Sequence, residues 1–166
     1  GVAYTIKQIN PNCKVYGVQA AGAPSMKNSV ADGKIETLKN VQTIADGIAV
    51  KTPGTNTFEL IKKYVDGIYT VSDDEIALAI LTLMEQQKLV SEGAGAVPVA
   101  AVMNGKIPDI EGKKVCCLVS GGNIDVTILS RVIERGLKMG GRSASITIAL
   151  SDKPLYLLIM TALTLI

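Results

Sequence analysis

Residues Val115–Val126 read Val-Cys-Cys-Leu-Val-Ser-Gly-Gly-Asn-Ile-Asp-Val. Five residues rich in β-formers, Val115–Val119, run into Ser120-Gly121-Gly122-Asn123, and an apolar pattern at helical spacing follows: Ile124, Ile128, Leu129, Val132, Ile133 and Leu137. This predicts a strand, a tight glycine turn and a helix, which points to an α/β layer protein. Ligands of α/β sheets sit at the carboxyl ends of strands. A glycine turn there lets backbone approach a bound group, and the helix start offers free N–H groups. Ser120, the first residue past the strand, is the polar side chain placed to face a ligand. A plain β-to-α connection, with glycine for geometry alone, accounts for the same pattern.

Composition narrows the alternatives. The chain has 166 residues, 48% hydrophobic and 19% charged, enough for one domain with a well-buried core. A net charge of +2 without a long basic run argues against nucleic-acid binding. The apolar tail Leu155–Ile166 is interrupted by Thr161 and Thr164 and is too short to span a bilayer. There is no histidine, which removes Ser-His and Cys-His nucleophile pairs and most zinc sites. Chemistry must then use carboxylates, hydroxyls, lysines, backbone groups or a borrowed cofactor. Cys13, Cys116 and Cys117 are odd in number and lie in strand-like contexts; Cys116 and Cys117 read as small core residues, and a reducing, cytoplasmic setting fits best.

In chain order, Val2, Ile6 and Ile9 have helical spacing, ended by Asn10-Pro11-Asn12. Lys14–Gln19 reads as a strand, Met26–Val41 as partly helical with a break at Asp32-Gly33-Lys34, Thr57–Tyr64 as a helix and Gly67–Val71 as a strand. In Thr43–Pro53, Asp46-Gly47 marks a turn or close approach, with Asp46 either binding a ligand or holding its own backbone. Ser72-Asp73-Asp74-Glu75 looks like an acidic metal cluster but reads better as a helix start: Ser72 caps, Glu75 completes the capping box, and Asp73 and Asp74 favour the positive helix end. The helix continues to about Lys88. Glu92 is a lone carboxylate among the small apolar residues of Val90–Met103, either a helix-start group or a site residue. Ser143–Leu150 alternates like a strand, and Leu155–Ile166 follows as an apolar segment. One strand and one helix cannot bury their faces alone, so a second, cut-short domain is expected from Ser143.

Four stretches in order then carry a resemblance: Thr-Ile-Ala-Asp-Gly (43–47), Val-Ser-Asp-Asp-Glu-Ile (71–76), Ser-Glu-Gly-Ala-Gly-Ala-Val (91–97) and Val-Ser-Gly-Gly-Asn-Ile-Asp (119–125). Together they resemble the threonine dehydratases, pyridoxal-phosphate enzymes of the tryptophan-synthase β-like fold (fold type II). The resemblance implies a three-layer open, mostly parallel sheet flanked by helices. It implies conversion of L-threonine, and of L-serine, to 2-oxobutanoate or pyruvate and ammonia, with pyridoxal 5'-phosphate as cofactor. Ser120 matches the residue that hydrogen-bonds the pyridine nitrogen. Gly121 and Gly122 would let the ring edge approach, and Asn123 would start the helix behind it. Gly47 falls in the motif lining the cofactor ring, and Glu92 in the one near its nitrogen side. The family also implies a cytoplasmic homo-oligomer, dimer or tetramer, with an amino-acid substrate and an amino-acid or nucleotide effector.

The departures shape the expectation. The family's Schiff-base lysine lies in a Ser-Phe-Lys stretch, but the only phenylalanine is Phe58, between Thr57 and Glu59. The glycine-run loop that holds the cofactor phosphate is absent too. Residues 1–142 therefore resemble the C-terminal half of the catalytic domain, truncated near Gly1, and this piece alone is expected to be inactive. Residues 143–166 resemble the start of an amino-acid-binding (ACT-like) regulatory domain, although Leu155 stands where a glycine usually follows Asp-Lys-Pro. The serine racemase branch binds a cation near the loop after the first strand. Gln19, Ala23 and Ser25 offer no carboxylate there, so no metal is expected. A non-catalytic amino-acid or phosphate-binding module, or a related racemase or β-eliminating enzyme, is the alternative reading.

Overall fold

The computed structural model describes residues 1–147. Their element order is α1 (Val2–Ile9), β1 (Tyr16–Ala20), α2 (Ser25–Asp32), a 3-10 turn (Asp46–Ile48), α3 (Thr55–Tyr64), β2 (Gly67–Val71), α4 (Asp73–Thr82), a π-helical turn (Leu83–Gln87), α5 (Gly93–Met103) and α6 (Val126–Met139). The strands pair in parallel, from Tyr16 opposite Gly67 to Ala20 opposite Val71. A parallel pair requires a long crossover, and α2 and α3 occupy it. The fold class is therefore α/β with a parallel sheet, as expected.

The core lies where the carboxyl ends of both strands meet α4 and α5. Ala20, Val71, Ile76, Ile80, Ala96, Ala100 and Ala101 are all fully buried there. Helix α4 packs against both α5 and α6. Its start is fixed as the sequence predicts. The Ser72 hydroxyl accepts from the Glu75 N–H at 3.2 Å, and the Glu75 carboxylate accepts from the Ser72 N–H at 2.7 Å. Helix α2 stops at Gly33, whose φ of +71° is left-handed.

Two sequence expectations are corrected. Val115–Val119 is not a strand: among the described residues it has no ladder partner, and Val115 and Leu118 are exposed. β-propensity supplies a fitting side chain, but a strand exists only when a neighbour takes its N–H and C=O groups. The expected third sheet strand is thus unpaired here. The cysteines of that segment consequently leave the core: Cys116 is exposed and Cys117 is half-buried. Burial pushes the Cys117 thiol pKa up, with Cys116 beside it adding to the effect. Residues 143–147 are described without regular structure. The rest of the predicted Ser143–Leu150 strand and the apolar Leu155–Ile166 segment lie outside the described residues.

Asp66, just before β2, ties the chain's first elements together. Its carboxylate accepts from Lys7 Nζ at 2.7 Å, the Val15 N–H at 2.7 Å and Lys14 Nζ at 3.3 Å. Burial opposes ionisation, but these hydrogen bonds outweigh it and hold the carboxyl at about 2 instead of 3.8. A depressed carboxyl pKa stabilises the fold above the unfolded value, and that stabilisation disappears as pH falls through the folded one. Asp66→Asn should therefore lower Tm at neutral pH and flatten the decline of Tm between pH 3.8 and 2, as read by circular dichroism melts. Ser72→Ala should cost about 1 kcal/mol by loss of the cap, measured by urea unfolding.

Candidate functional site

The four motifs, spread over Thr43–Asp125, fold into one cluster around the starts of α4 and α5. Asp73, in the first turn of α4, holds the first motif. Its carboxylate accepts from the Thr43 hydroxyl at 2.6 Å and from the Ile44 N–H at 3.2 Å. The Thr43 hydroxyl also accepts from the Ala45 N–H at 3.1 Å. Ala45 is fully buried, and its backbone lies against Gly93: a Cβ built on Gly93 would meet the Ala45 Cα and the Ile44 carbonyl oxygen at 2.8 Å each.

The fourth motif is locked onto the third. The Glu92 N–H donates to the Gly121 carbonyl at 3.0 Å. A Cβ on Gly95 would lie 2.9 Å from the Gly121 carbonyl oxygen, and one on Gly122 would lie 2.7 Å from the Val90 carbonyl oxygen. A methyl group at either position would collide with main chain, so the turn can dock only where Gly95 and Gly122 carry no side chain.

The Glu92 carboxylate occupies the gap between the first and fourth motifs. A Cβ on Gly121 would sit 2.8 Å from Glu92 Cδ, and one on Gly47 would sit 3.8 Å from Glu92 Oε1 and 3.2 Å from the Ala94 Cβ. The Glu92 side chain thus fills the space that a side chain on Gly121 would need and lies within contact distance of Gly47. Glu92 is the N-cap residue of α5, half-buried, and its side chain makes no capping hydrogen bond. The helix-start reading of its position holds, while the carboxylate itself is turned to the two glycine motifs.

An open cleft of about 660 Å³ runs along this face, lined among others by Thr43, Asp46, Glu92, Asn123, Arg131 and Arg135. The structure brings Glu92 and Asn123 to its wall and Gly47 and Gly121 next to Glu92. Ser120 is exposed at the tip of the turn and does not line the cleft. Asp46 holds its own backbone, its Oδ1 accepting from the Gly47 N–H at 2.8 Å, and it lines the cleft. Asn123 does not start the following helix. Asp125 is the N-cap, its carboxylate accepting from the Thr127 N–H at 2.7 Å, while the Ile124 N–H still donates to the Gly122 carbonyl inside the turn. Hydrogen bonds from the Thr127 hydroxyl and N–H keep the Asp125 carboxyl below the usual range. In the loop after β1, Gln19 Nε2 donates to the Ala23 carbonyl at 3.2 Å, and Gln19 Oε1 accepts from the Lys27 N–H at 2.8 Å. Both ends of that amide are therefore engaged in fixing the loop.

Sequence reasoning gave Asp73 and Asp74 to the helix end alone and missed their distant partners, Arg135 among them. Arg135 of α6 pairs through Nε with the Asp74 carboxylate and stands 4.0 Å from Asp73. The capping box accounts only for Ser72 and Glu75, so two carboxylates were left whose partners lie 29 to 61 residues away in sequence. The available signal was that surplus, together with Arg131 and Arg135 at one-turn spacing on a helix that follows a glycine turn.

Comparison with known proteins places this geometry. The sequence profile of the pyridoxal-phosphate dependent enzymes (PALP) matches residues 1–121. The chain belongs to that family. It is similar to L-threonine ammonia-lyase of Thermotoga maritima, 53% identical over 154 residues, covering 93% of this chain and 38% of that protein. Among solved structures it resembles the processed threonine deaminase isoform 2 of Solanum lycopersicum, with a TM-score of 0.72 and 36% identity over 81% of this chain and 39% of that one. It also resembles the serine racemase of Dictyostelium discoideum, with a TM-score of 0.69 and 36% identity over 75% and 40%. The chain spans about two fifths of the length of these proteins. Among the described residues no helix is long and apolar enough to cross a membrane.

The glycine lock generates a graded expectation. Gly93→Ala and Gly122→Ala push a methyl into main chain and should each cost about 1–3 kcal/mol. Gly121→Ala meets only the movable end of Glu92, so it should cost less while displacing that carboxylate. Urea unfolding of the three variants reads the order.

Proposed function

We propose that residues 1–142 are the C-terminal half of the catalytic domain of a pyridoxal-phosphate-dependent threonine ammonia-lyase, converting L-threonine, and L-serine, to the 2-oxo acid and ammonia. The observation that carries this reading is the convergence of the four motifs: the Ser120–Asn123 turn is locked onto the start of α5, and Glu92 stands between Gly47 and Gly121. These residues fit one wall of a cofactor site, because Asp46, Glu92 and Asn123 line an open cleft beside the glycine turn and give a flat ring polar groups at its edge. Bound there, pyridoxal phosphate supplies the electron sink that lets the α-proton and then the β-hydroxyl leave the amino acid.

This chain's residues would bind and orient. Ser120, exposed at the turn, would offer the pyridine nitrogen a neutral hydroxyl, which does not hold that nitrogen protonated as a carboxylate would. Gly121 and Gly122 would bring the turn's backbone to the ring edge. Asn123 and Glu92 would contribute polar contacts from the cleft wall, and Gly47 would give the ring's face clearance. The Schiff-base lysine and the phosphate loop are not in this sequence. The full-length enzyme supplies them, and this piece alone is inactive. Residues 143–166 begin an ACT-like regulatory domain in this reading. The whole protein is a cytoplasmic homo-oligomer, dimer or tetramer, responsive to an amino-acid or nucleotide effector.

Resemblance to a serine racemase favours a second reading, in which the same wall serves racemisation. The test is the full-length protein, assayed for 2-oxobutanoate from L-threonine and for D-serine from L-serine. Release of 2-oxobutanoate with little D-serine is expected, and the reverse would favour the racemase. No turnover of either, with amino-acid binding retained, would support a non-catalytic module. In the active enzyme Ser120→Ala should weaken cofactor binding roughly fivefold, the equivalent of about 1 kcal/mol for one hydrogen bond. Titration with pyridoxal phosphate, followed by visible absorbance, measures this; an unchanged affinity and spectrum would remove Ser120 from the site.

A further inference from the structure

We propose that Asp73 is a positioning residue of this enzyme: it holds the Thr43–Gly47 segment against Glu92 and, through Arg135, sets that segment's spacing from the helix that follows the Ser120–Asn123 turn. The inference rests on the cofactor reading above and assigns a role to a residue outside the cofactor-lining set.

The Thr43–Gly47 segment has few ties of its own. It ends in a single 3-10 turn, and Asp46 and Gly47 at its open side are exposed. Two anchors fix it from behind. One is steric, the Ala45 backbone against Gly93. The other is Asp73, which takes the Thr43 hydroxyl on one carboxylate oxygen and the Ile44 N–H on the other. A carboxylate accepting two such bonds fixes both the direction and the register of the strand of chain it holds. The chain is also tied one residue upstream, where the Gln42 N–H donates to the Gly22 carbonyl at 3.2 Å, but Asp73 is the group that bonds Thr43 and Ile44 themselves.

Across the cleft, Arg135 pairs with Asp74 and stands 4.0 Å from Asp73 Oδ2. Thr43, Ile44 and Arg135 all line the same cleft. The first turn of α4 is therefore a common base for both walls: Asp73 carries one by hydrogen bonds, and Asp73 and Asp74 face the other through one guanidinium. The helix cap does not require this, because Ser72 and Glu75 complete it without Asp73.

The test uses the full-length enzyme, with and without pyridoxal phosphate, in the variants Asp73→Ala, Thr43→Val, Thr43→Ser and Ser72→Ala. Ser72→Ala controls for stability, since it weakens the same helix start without touching the segment. Asp73→Ala and Thr43→Val are expected to speed amide exchange of Ile44–Ile48 at least tenfold while the amides of Ile76–Leu81 stay protected. They should raise the cofactor dissociation constant about tenfold and change the visible circular dichroism of the bound cofactor. Thr43→Ser should restore all three, and Ser72→Ala should lower Tm and alter none of them. Unchanged exchange in Asp73→Ala, or an affinity loss no larger than that of Ser72→Ala, overturns the proposal. If the unsubstituted enzyme takes up no pyridoxal phosphate, the cofactor reading itself fails and the positioning role goes with it. Uptake by the unsubstituted enzyme with no effect of Asp73→Ala defeats the positioning role alone.

Discussion

The architecture depends on backbone meeting backbone with nothing between. At the start of α5, Gly93 admits the Ala45 main chain on one side and Gly95 admits the Gly121 carbonyl on another, while Gly122 lies against the Val90 carbonyl. These contacts are nearer than a Cβ permits. They bring segments separated by about 30 to 50 residues into one cluster, and the Glu92 N–H to Gly121 hydrogen bond closes it. Any ligand chemistry on this face is built on that closeness, because it decides how far Glu92 stands from the two glycine turns.

Helix α4 organises what surrounds the cluster. Along its length it buries Ile76 and Ile80 completely and packs on α5 and α6. At its start polar groups take over in layers. Ser72 and Glu75 close the helix, and Lys106 reaches Glu75 at 2.7 Å. Burial works against the Glu75 charge, yet Lys106 and the Ser72 N–H hold its carboxyl below the usual range. Asp73 and Asp74 then face outward to the first motif and to α6. At the other end, Arg142 grips Glu85 with bonds of 2.8 and 2.7 Å, so the chain leaving α6 is also tied to the α4 side.

Much of this was legible because the responsible signals are local. The β2 strand, Gly67–Val71, appears with the bounds its sequence suggested, and the capping box at Ser72 needs only residues three apart. The α6 pattern and the Asp32-Gly33 stop are likewise written within a turn or two of chain. What stayed illegible involves partners. Val115–Val119 has the residues of a strand, but pairing depends on a neighbour that composition cannot supply, and with the ladder went the expected burial of Cys116. Asn123 and Asp125 are both good caps, and only the geometry of the turn shows that the chain is still turning at Ile124. Asp73 looked like a helix-dipole residue because its two hydrogen-bond partners lie about 30 residues upstream.

The residues of α5 against which the other motifs dock are glycines: Gly93 meets the Ala45 main chain and Gly95 the Gly121 carbonyl. Such residues have no rotamers to freeze, so ordering this wall costs no side-chain entropy. It also has no rotamers to rearrange. A leucine- or methionine-lined contact can adjust by repacking; these glycine contacts are main chain on main chain and cannot. The side chains left free to adjust are the exposed ones nearby, Ser120, Asn123 and Asp46, against a backing that does not yield.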